Sequence, residues 1–142
     1  MSLRKVIIDT NVYINWLNRG LHEDIMLGRG LTRYLSGVVL MELAVGARTL
    51  PARRALGQLA RAYRAGGRCI GLQPDTLAQA GEVLQRLHDR GHQVHRASLV
   101  NDVLVALSAR VLGATVLTMD RDFLVVQAVV DFKCELLAQP TG

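Results

Sequence analysis

Five acidic residues lie in or beside apolar stretches of this sequence, where ionised carboxylates are rare. Asp9 directly follows the apolar run VII, and Glu42 lies inside VVLMELAV. Asp102 lies inside SLVNDVLVAL, and Asp120 and Asp122 come directly after TVLT. Removing such a carboxylate from water costs several kcal/mol unless it gains a partner. No lysine or histidine falls inside these segments, so the partner must come from elsewhere.

Each acid taken alone also has a purely structural interpretation. Asp9 could cap the helix after it, and Asp102 could sit in a first helical turn, where the helix dipole favours an acid. Asp120 could start a turn, and Glu42 could pair with a distant arginine. Gathered in one place, however, the carboxylates would repel one another. A hard divalent cation relieves that repulsion, and oxygen ligands favour Mg²⁺ or Mn²⁺.

The predicted elements bring these acids to a common edge. Helices alternate with short, continuously apolar strands, a pattern typical of a parallel sheet with helices on both faces. Strands are predicted at 5–8, 32–36, 68–72, 114–118 and 133–137. Helices are predicted at 11–18, 21–27, 37–45 after Ser36, 51–65, 74–90, and 99–112 after Ser98, with Leu77, Ala80, Leu84 and Leu87 on the inner face of the fifth. Two of the acids therefore follow parallel strands, where open α/β sheets place their sites.

Length and composition indicate one domain spanning residues 1–142, with 137–142 as a loose tail. The net charge is +5, and 15 of the 17 basic residues are arginines. The guanidinium fork matches phosphate, which favours a polyanionic partner, although a genomic composition bias explains the arginine preference equally well. Cys69 and Cys134 form no CxxC pair, which predicts free thiols in a reducing compartment. With no signal peptide and no membrane-length apolar run, the sequence predicts a soluble cytoplasmic protein.

Four segments together resemble the PIN domain, and more narrowly the VapC-type ribonuclease toxins of prokaryotic toxin–antitoxin pairs. They are IIDTN, SGVVLMELAVGA, ND followed by VLVALSARVLGATVLT, and TMDRDF, and the likeness extends from residue 5 to about 137. The resemblance implies a three-layer α/β/α fold with a central parallel sheet of about five strands. It also implies Mg²⁺- or Mn²⁺-dependent hydrolysis of RNA. One departure is that TMDRDF is one residue shorter than the usual toxin pattern, so both of its acids remain candidates.

Site residues follow from the same resemblance. The implied catalytic residues are Asp9, Glu42, Asp102 and Asp120. The implied metal ligands are Asp9, Asp102, Asp120 and Asp122, with Asn11 and Thr118 as supporting polar groups. Glu42 either binds metal or orients the attacking water. Whether one or two ions act is left open.

Partners also follow from the resemblance: an RNA substrate, a cognate antitoxin protein and a second copy of the chain. On the helix predicted at 51–65, four arginines fall on one side and are expected to bind the RNA backbone. These are Arg53, Arg54, Arg61 and Arg64. A solvated charged face and contact with an acidic stretch of an antitoxin are the alternatives.

Two other classes of protein also place acids at the ends of parallel strands. A haloacid-dehalogenase-like phosphatase needs Asp-x-Asp after its first strand, where this chain has Asp9, Thr10 and Asn11. A receiver domain needs a lysine after a late strand, and Lys133 is badly placed for it. A third alternative is an inactive PIN-like binding module, but the complete acid set argues against a degenerate copy.

Overall fold

The computed structural model describes residues 3–139 and contains one central sheet of five parallel strands. The strands are β1 (Arg4–Ile8), β2 (Leu31–Ser36), β3 (Cys69–Ile70), β4 (Thr115–Thr118) and β5 (Lys133–Leu136). Their order in the sheet is β3-β2-β1-β4-β5. From β1 the chain moves outward to β3, then returns to add β4 on the other side of β1. The predicted α/β class with a parallel sheet of about five strands is therefore confirmed.

Seven helices of the described chain connect and cover these strands. They are α1 (Thr10–Arg19), α2 (Glu23–Leu27), α3 (Gly37–Gly46), α4 (Leu50–Ala65), α5 (Pro74–Asp89), α6 (Ala97–Leu112) and α7 (Asp122–Gln127). Helix α3 contacts α1 and α4, and α6 contacts α5 and α7. Because strand crossovers are right-handed and the strand order reverses at β1, these two groups lie on opposite faces.

The core is centred on the two middle strands. Val6, Ile7 and Ile8 of β1 are fully buried, and all four residues of β4 are buried as well. A central parallel strand has helices against both faces, so it needs apolar side chains at every position rather than at alternate ones. This explains why VII and TVL read as continuous runs in the sequence.

Three predicted details of the elements are wrong. Leu77 does not face the core: its side chain is 50% exposed, and the buried face of α5 instead carries Val83 together with Ala80 and Leu87. Ser98 does not cap α6, because the helix begins at Ala97. The strand predicted at 68–72 is only the two residues of β3.

The C-terminal region also departs from the prediction. Helix α7 was missed, because its six residues, DFLVVQ, are too short to show a helical period. The expected loose tail is wrong for two residues: the Leu137 amide donates to the Thr118 carbonyl at 2.7 Å, and Gln139 Nε2 donates to the Met119 carbonyl at 3.0 Å. Residues 140–142 of that tail lie outside the described part of the chain. Between residues 3 and 139, no helix is long and apolar enough to cross a membrane.

Candidate active site

The candidate site lies where the strand order of the sheet reverses, between the carboxyl ends of β1 and β4. Ile8 and Leu117 are partners in the ladder, and the Asp9 amide donates to the Leu117 carbonyl at 2.9 Å. Asp9 and Thr118 therefore leave the sheet side by side. Open α/β sheets bind ligands at this kind of switch point, because the diverging connections leave a crevice there.

Asp9 is fixed by hydrogen bonds to both of its carboxylate oxygens. Oδ1 accepts from the Thr10 amide at 2.8 Å, so Asp9 does cap α1, as its structural interpretation proposed. Oδ2 accepts from the Thr118 hydroxyl at 2.7 Å. The Thr118 oxygen in turn accepts from the Asp120 amide at 2.9 Å. Thr118 thus ties Asp9 to the turn that carries Asp120 and Asp122.

Asp102, Asp120 and Asp122 form the tightest group of acids. One carboxylate oxygen from each residue lies within 4.8 Å of the other two. Asp120 Oδ1 accepts from the Asp122 amide at 2.9 Å, so Asp120 does shape a turn, and that turn presents both acids. Asp102 comes from the second turn of α6 rather than the first, so the helix dipole does not explain its placement.

Asp102 shows the clearest sign of a missing ligand. Its side chain is buried, and its Oδ2 has no hydrogen-bond partner among the described residues. Buried carboxylates in folded proteins are paired or coordinate a metal. The oxygen-only donor set around Asp102 suits a hard cation such as Mg²⁺ or Mn²⁺. The residues present therefore fit a divalent metal ion.

Glu42 reaches the same place from helix α3. Ser36 caps this helix as predicted, with its hydroxyl accepting from the Val38 amide at 3.2 Å. Glu42 Oε1 accepts from the Thr10 hydroxyl at 2.9 Å. Within residues 3–139 Glu42 forms no ion pair with an arginine, which removes that structural interpretation of its position.

Electrostatics confirms that the carboxylates crowd one another. Burial, and then the neighbouring charges of Asp9, Asp120, Asp122 and Glu42, raise the pKa of Asp102 to about 8. Burial also raises the pKa of Asp9 to about 6, although its bonds to Thr118 and Thr10 oppose the shift. Both shifts reflect burial first and the neighbouring carboxylates second.

Asp9 stands outside the group of three, although it was predicted as an inner metal ligand. Its charge is nevertheless the largest carboxylate contribution to the raised pKa of Asp102. Asp9 is therefore close enough to Asp102 to raise its pKa, while its own two carboxylate oxygens accept hydrogen bonds from Thr10 and Thr118. Asn11 also lies here: its Oδ1 accepts a long, 3.5 Å hydrogen bond from the Met119 amide.

The predicted arginine face of α4 is exposed and borders an open cleft of about 800 Å³. Arg53, Arg61 and Arg64 line this cleft together with Arg48, which the sequence did not single out. Arg54 is exposed on the same helix but does not line the cleft. The structure thus separates one of the four predicted arginines from the other three.

Sequence reasoning missed two residues of the site. Thr10 bonds both Asp9 and Glu42 through its amide and hydroxyl, and its place in the DTN stretch was the available signal. Arg96 lies 3.4 Å from Asp122 Oδ2 through a guanidinium nitrogen. Arg96 is 26 residues from Asp122 in a segment without a motif, so only the fold reveals the contact.

A parallel sheet that gathers carboxylates at its switch point defines an α/β protein with a candidate metal centre. The model of the PIN domain family matches residues 6–129 of this chain, so the chain belongs to the PIN domain family. A search of curated proteins gave no match.

Solved structures share the fold at low identity. A chain of VapBC2 from Rickettsia felis, solved with a DNA fragment from the promoter, is 19% identical with a TM-score of 0.70, and the match covers 94% of this chain and 99% of that one. DNA-bound VapBC from Salmonella typhimurium is 21% identical with a TM-score of 0.68, covering 94% and 98%. VapBC-5 from Mycobacterium tuberculosis is 21% identical with a TM-score of 0.65 and the same coverage.

Proposed function

We propose that this protein is a metal-dependent endoribonuclease and the toxin of a type II toxin–antitoxin pair. The observation that carries the proposal is the carboxylate cluster at the β1/β4 switch point, with a buried and unpartnered oxygen on Asp102. Membership of the PIN domain family supports hydrolytic nuclease activity. The shared fold with chains of VapBC complexes supports the toxin assignment.

The proposed metal ligands are Asp102, Asp120 and Asp122, with Asp9 beside them. A bound Mg²⁺ or Mn²⁺ supplies Lewis acidity for phosphodiester hydrolysis and offsets the negative charge of the phosphate. In the described residues, no histidine or lysine contacts these acids, so the site has no conventional general base. This donor set is therefore better suited to metal-assisted hydrolysis than to acid–base chemistry by side chains alone.

The other residues of the site position these groups. Thr118 holds Asp9 and the Asp120 amide in one hydrogen-bonded chain. Thr10 fixes Asp9 through its amide and Glu42 through its hydroxyl. Glu42 is half-buried and keeps Oε2 free of protein hydrogen bonds within the described chain. We assign Glu42 to orienting the attacking water through a hydrogen bond to Oε2.

RNA is the proposed substrate because of the arginine cleft beside α4. Arg48, Arg53, Arg61 and Arg64 bring four positive charges to one open surface. An open cleft of this kind accommodates a flexible strand, and each guanidinium matches a phosphate group. The net charge of +5 acts in the same direction over longer distances.

An antitoxin is the proposed partner of an apolar groove between α1, α3 and α4, which adjoins the arginine cleft through Ala47 and Leu56. The groove measures about 380 Å³ and is lined mostly by apolar side chains, among them Ile14, Leu17, Leu43 and Leu56. Glu42 also lines it, so an occupant of the groove reaches the edge of the acidic site. An amphipathic antitoxin helix that carries one arginine would fill the groove and neutralise the carboxylates at once. The similar structures are of VapBC complexes, which supports such a partner.

We further propose a cytoplasmic homodimer. Large apolar side chains such as Leu27, Val45 and Val111 are more than 60% exposed, although the core is already continuous. Such exposure is consistent with an interface between copies. Both cysteines are free, in keeping with a reducing compartment.

The test is cleavage of labelled single-stranded RNA by the purified protein with Mg²⁺ or Mn²⁺, with EDTA, and with a generic phosphatase substrate for comparison. The proposal predicts RNA cleavage only with metal and no turnover of the phosphatase substrate. Metal-dependent binding of RNA without cleavage would instead identify an inactive binding module.

A further inference from the structure

The ion pair between Arg96 and Asp122 is a part of the site that the proposed function does not use. Arg96 directly precedes α6, and its guanidinium lies 3.4 Å from Asp122 Oδ2. Across residues 3–139, this is the one cation within 4 Å of the acids gathered at the switch point. Arg96 is therefore a partly exposed cation in contact with one member of the carboxylate cluster.

This contact is too weak to be the main purpose of Arg96. At 3.4 Å it is longer than typical charge-assisted hydrogen bonds of roughly 2.7–2.9 Å. The two side chains are 54% and 37% exposed, so water screens the attraction. The guanidinium makes no second hydrogen bond within the described chain, which leaves most of its donors available to another acceptor.

A phosphodiester is the acceptor that the surroundings favour. RNA must bring negative charge towards Asp9, Glu42, Asp102, Asp120 and Asp122, and this approach is unfavourable without a local cation. A divalent ion held by the cluster would also compete with Arg96 for Asp122. Once Asp122 turns towards that ion, the guanidinium fork is free to bind a phosphate, whose geometry it matches.

We propose that Arg96 is a substrate-binding residue that exchanges Asp122 for a phosphate oxygen of the RNA when metal and RNA bind together. The inference rests on the proposed ribonuclease function. It makes two predictions of opposite sign for the loss of this arginine. Metal binds more tightly, because a competing charge is gone, and RNA binds more weakly, because a phosphate contact is gone.

The experiment uses the full chain and the variants Arg96→Gln and Arg96→Lys. Calorimetry without RNA measures Mn²⁺ affinity, which Arg96→Gln should raise about two- to fivefold and Arg96→Lys should leave close to the parent value. Fluorescence anisotropy with single-stranded RNA in Ca²⁺ measures RNA affinity, with electrophoresis confirming intact RNA. Arg96→Gln should weaken RNA binding about tenfold and reduce its salt slope by about 0.7. The RNA affinity of Arg96→Lys should fall between those of the parent and Arg96→Gln.

Arg121→Gln is the matched control. Arg121 lies between Asp120 and Asp122 in sequence, is exposed, and its side chain makes no hydrogen bond or ion pair within the described chain. Equal changes of Mn²⁺ and RNA affinity in Arg121→Gln and Arg96→Gln would mean that only the net charge matters. This result would overturn the specific role of Arg96. Parent-like values for Arg96→Gln would overturn that role and leave the ribonuclease proposal intact. A parent protein that binds neither Mn²⁺ nor RNA would overturn both.

Discussion

Asp102 lies in the second turn of α6 with one carboxylate oxygen buried and unpartnered. Replacing it with Asn keeps the shape of the side chain and removes the charge that its neighbours repel. We expect Asp102→Asn to lose at least about a hundredfold in RNA cleavage, since even outer partners of metal ligands have effects of that order. A cleavage time course in Mg²⁺ measures the loss, and circular dichroism checks the fold. Parent-like cleavage would remove Asp102 from the site.

The raised pKa of Asp102 predicts how stability depends on pH. The unfolded side chain has a pKa of 3.8, whereas burial and neighbouring acids raise the folded pKa to about 8. The folded state therefore holds the extra proton between these values. Its contribution to stability is fully present below about pH 4 and is lost as pH rises through 8.

Without metal, the parent should lose unfolding free energy relative to Asp102→Asn by up to about 1.4 kcal/mol per pH unit across this window. Urea unfolding in EDTA at four pH values measures the difference. Added Mg²⁺ should stabilise the parent more than the variant at pH 8, because metal binds the ionised native site. Parallel pH profiles for the two proteins would contradict the assignment of the raised pKa.

Thr118 is the second residue whose role is specific enough to test. Thr118→Val is nearly isosteric but leaves the Asp120 amide without its acceptor and Asp9 Oδ2 without its donor. We expect a loss of stability of about 1–3 kcal/mol and a 10–100-fold loss of metal affinity. Thr118→Ser keeps the hydroxyl and serves as the control. Denaturant titration and Mn²⁺ calorimetry measure the two effects. Equal metal affinity in the Val and Ser variants would show that the hydroxyl does not organise the site.

At the scale of elements, the α4 helix offers the clearest test of RNA binding. The triple variant Arg53→Gln, Arg61→Gln and Arg64→Gln removes three charges from the cleft without touching the buried Tyr63 on the opposite face. Its RNA affinity should fall, and the salt slope of binding should become shallower by about 0.7 per lost contact. A salt titration by anisotropy measures both quantities.

Arg54→Gln is the control for that variant, because Arg54 shares the helix but not the cleft. Melting temperatures should change little in either protein. If the triple variant binds RNA as tightly as the parent, the arginine face of α4 is either a solvated surface or an antitoxin contact. Equal losses in both proteins would mean that the charge of the helix matters rather than the cleft.

The elements that carry the acids were predictable because each has a strong local signal. VII and TVL are continuous apolar runs, and Ser36 is a typical cap, so β1, β4 and α3 were expected close to their observed bounds. Of the predicted face of α5, Ala80, Leu84 and Leu87 do pack on the core, and only Leu77 in the first turn does not, because packing rather than helical spacing decides where the buried face begins. Helix α7 packs against α6, and Leu137 is anchored by its hydrogen bond to Thr118 of β4, and local sequence encodes neither contact.

The same distinction holds for the site. The positions of Asp9 and Asp120 at the ends of β1 and β4 followed from acids placed directly after apolar strands, whereas the approach of Asp102 on its helix was implied by the resemblance to the PIN domain. The position of Asp9 beside the tight group depends on its hydrogen bonds to Thr10 and Thr118. Thr118 is 109 residues from Asp9 in the sequence, so no local pattern predicts that bond. The approach of Arg96 to Asp122 likewise depends on how α6 meets the turn after β4, and no pattern predicts it.

At the scale of the whole molecule, the groove between α1, α3 and α4 predicts how the protein is inhibited. Leu17 lines this groove and is 45% exposed, so Leu17→Asp should disrupt a partner without unfolding the chain. We expect the variant to cleave RNA but to lose inhibition by an antitoxin encoded beside it. Co-expression followed by size-exclusion chromatography and a cleavage assay measures both outcomes. Retained inhibition would place the antitoxin elsewhere.

The proposed homodimer concerns the free protein. Multi-angle light scattering at micromolar concentration should give twice the chain mass of 15.6 kDa. The exposed apolar side chains would then be partly covered in solution. A monomer mass across that concentration range would contradict the dimer and leave the active-site proposal unaffected.

We propose that the carboxylates at the β1/β4 switch point hold a metal ion that is required for RNA cleavage. The most direct measurement follows one RNA substrate with the parent protein in Mn²⁺, in EDTA, and in EDTA followed by excess Mn²⁺, with Asp102→Asn run in parallel. We expect cleavage in the first and third conditions, none in EDTA, and little by the variant in any condition. Full cleavage in EDTA, or equal cleavage by the variant from an equally pure preparation, would contradict it.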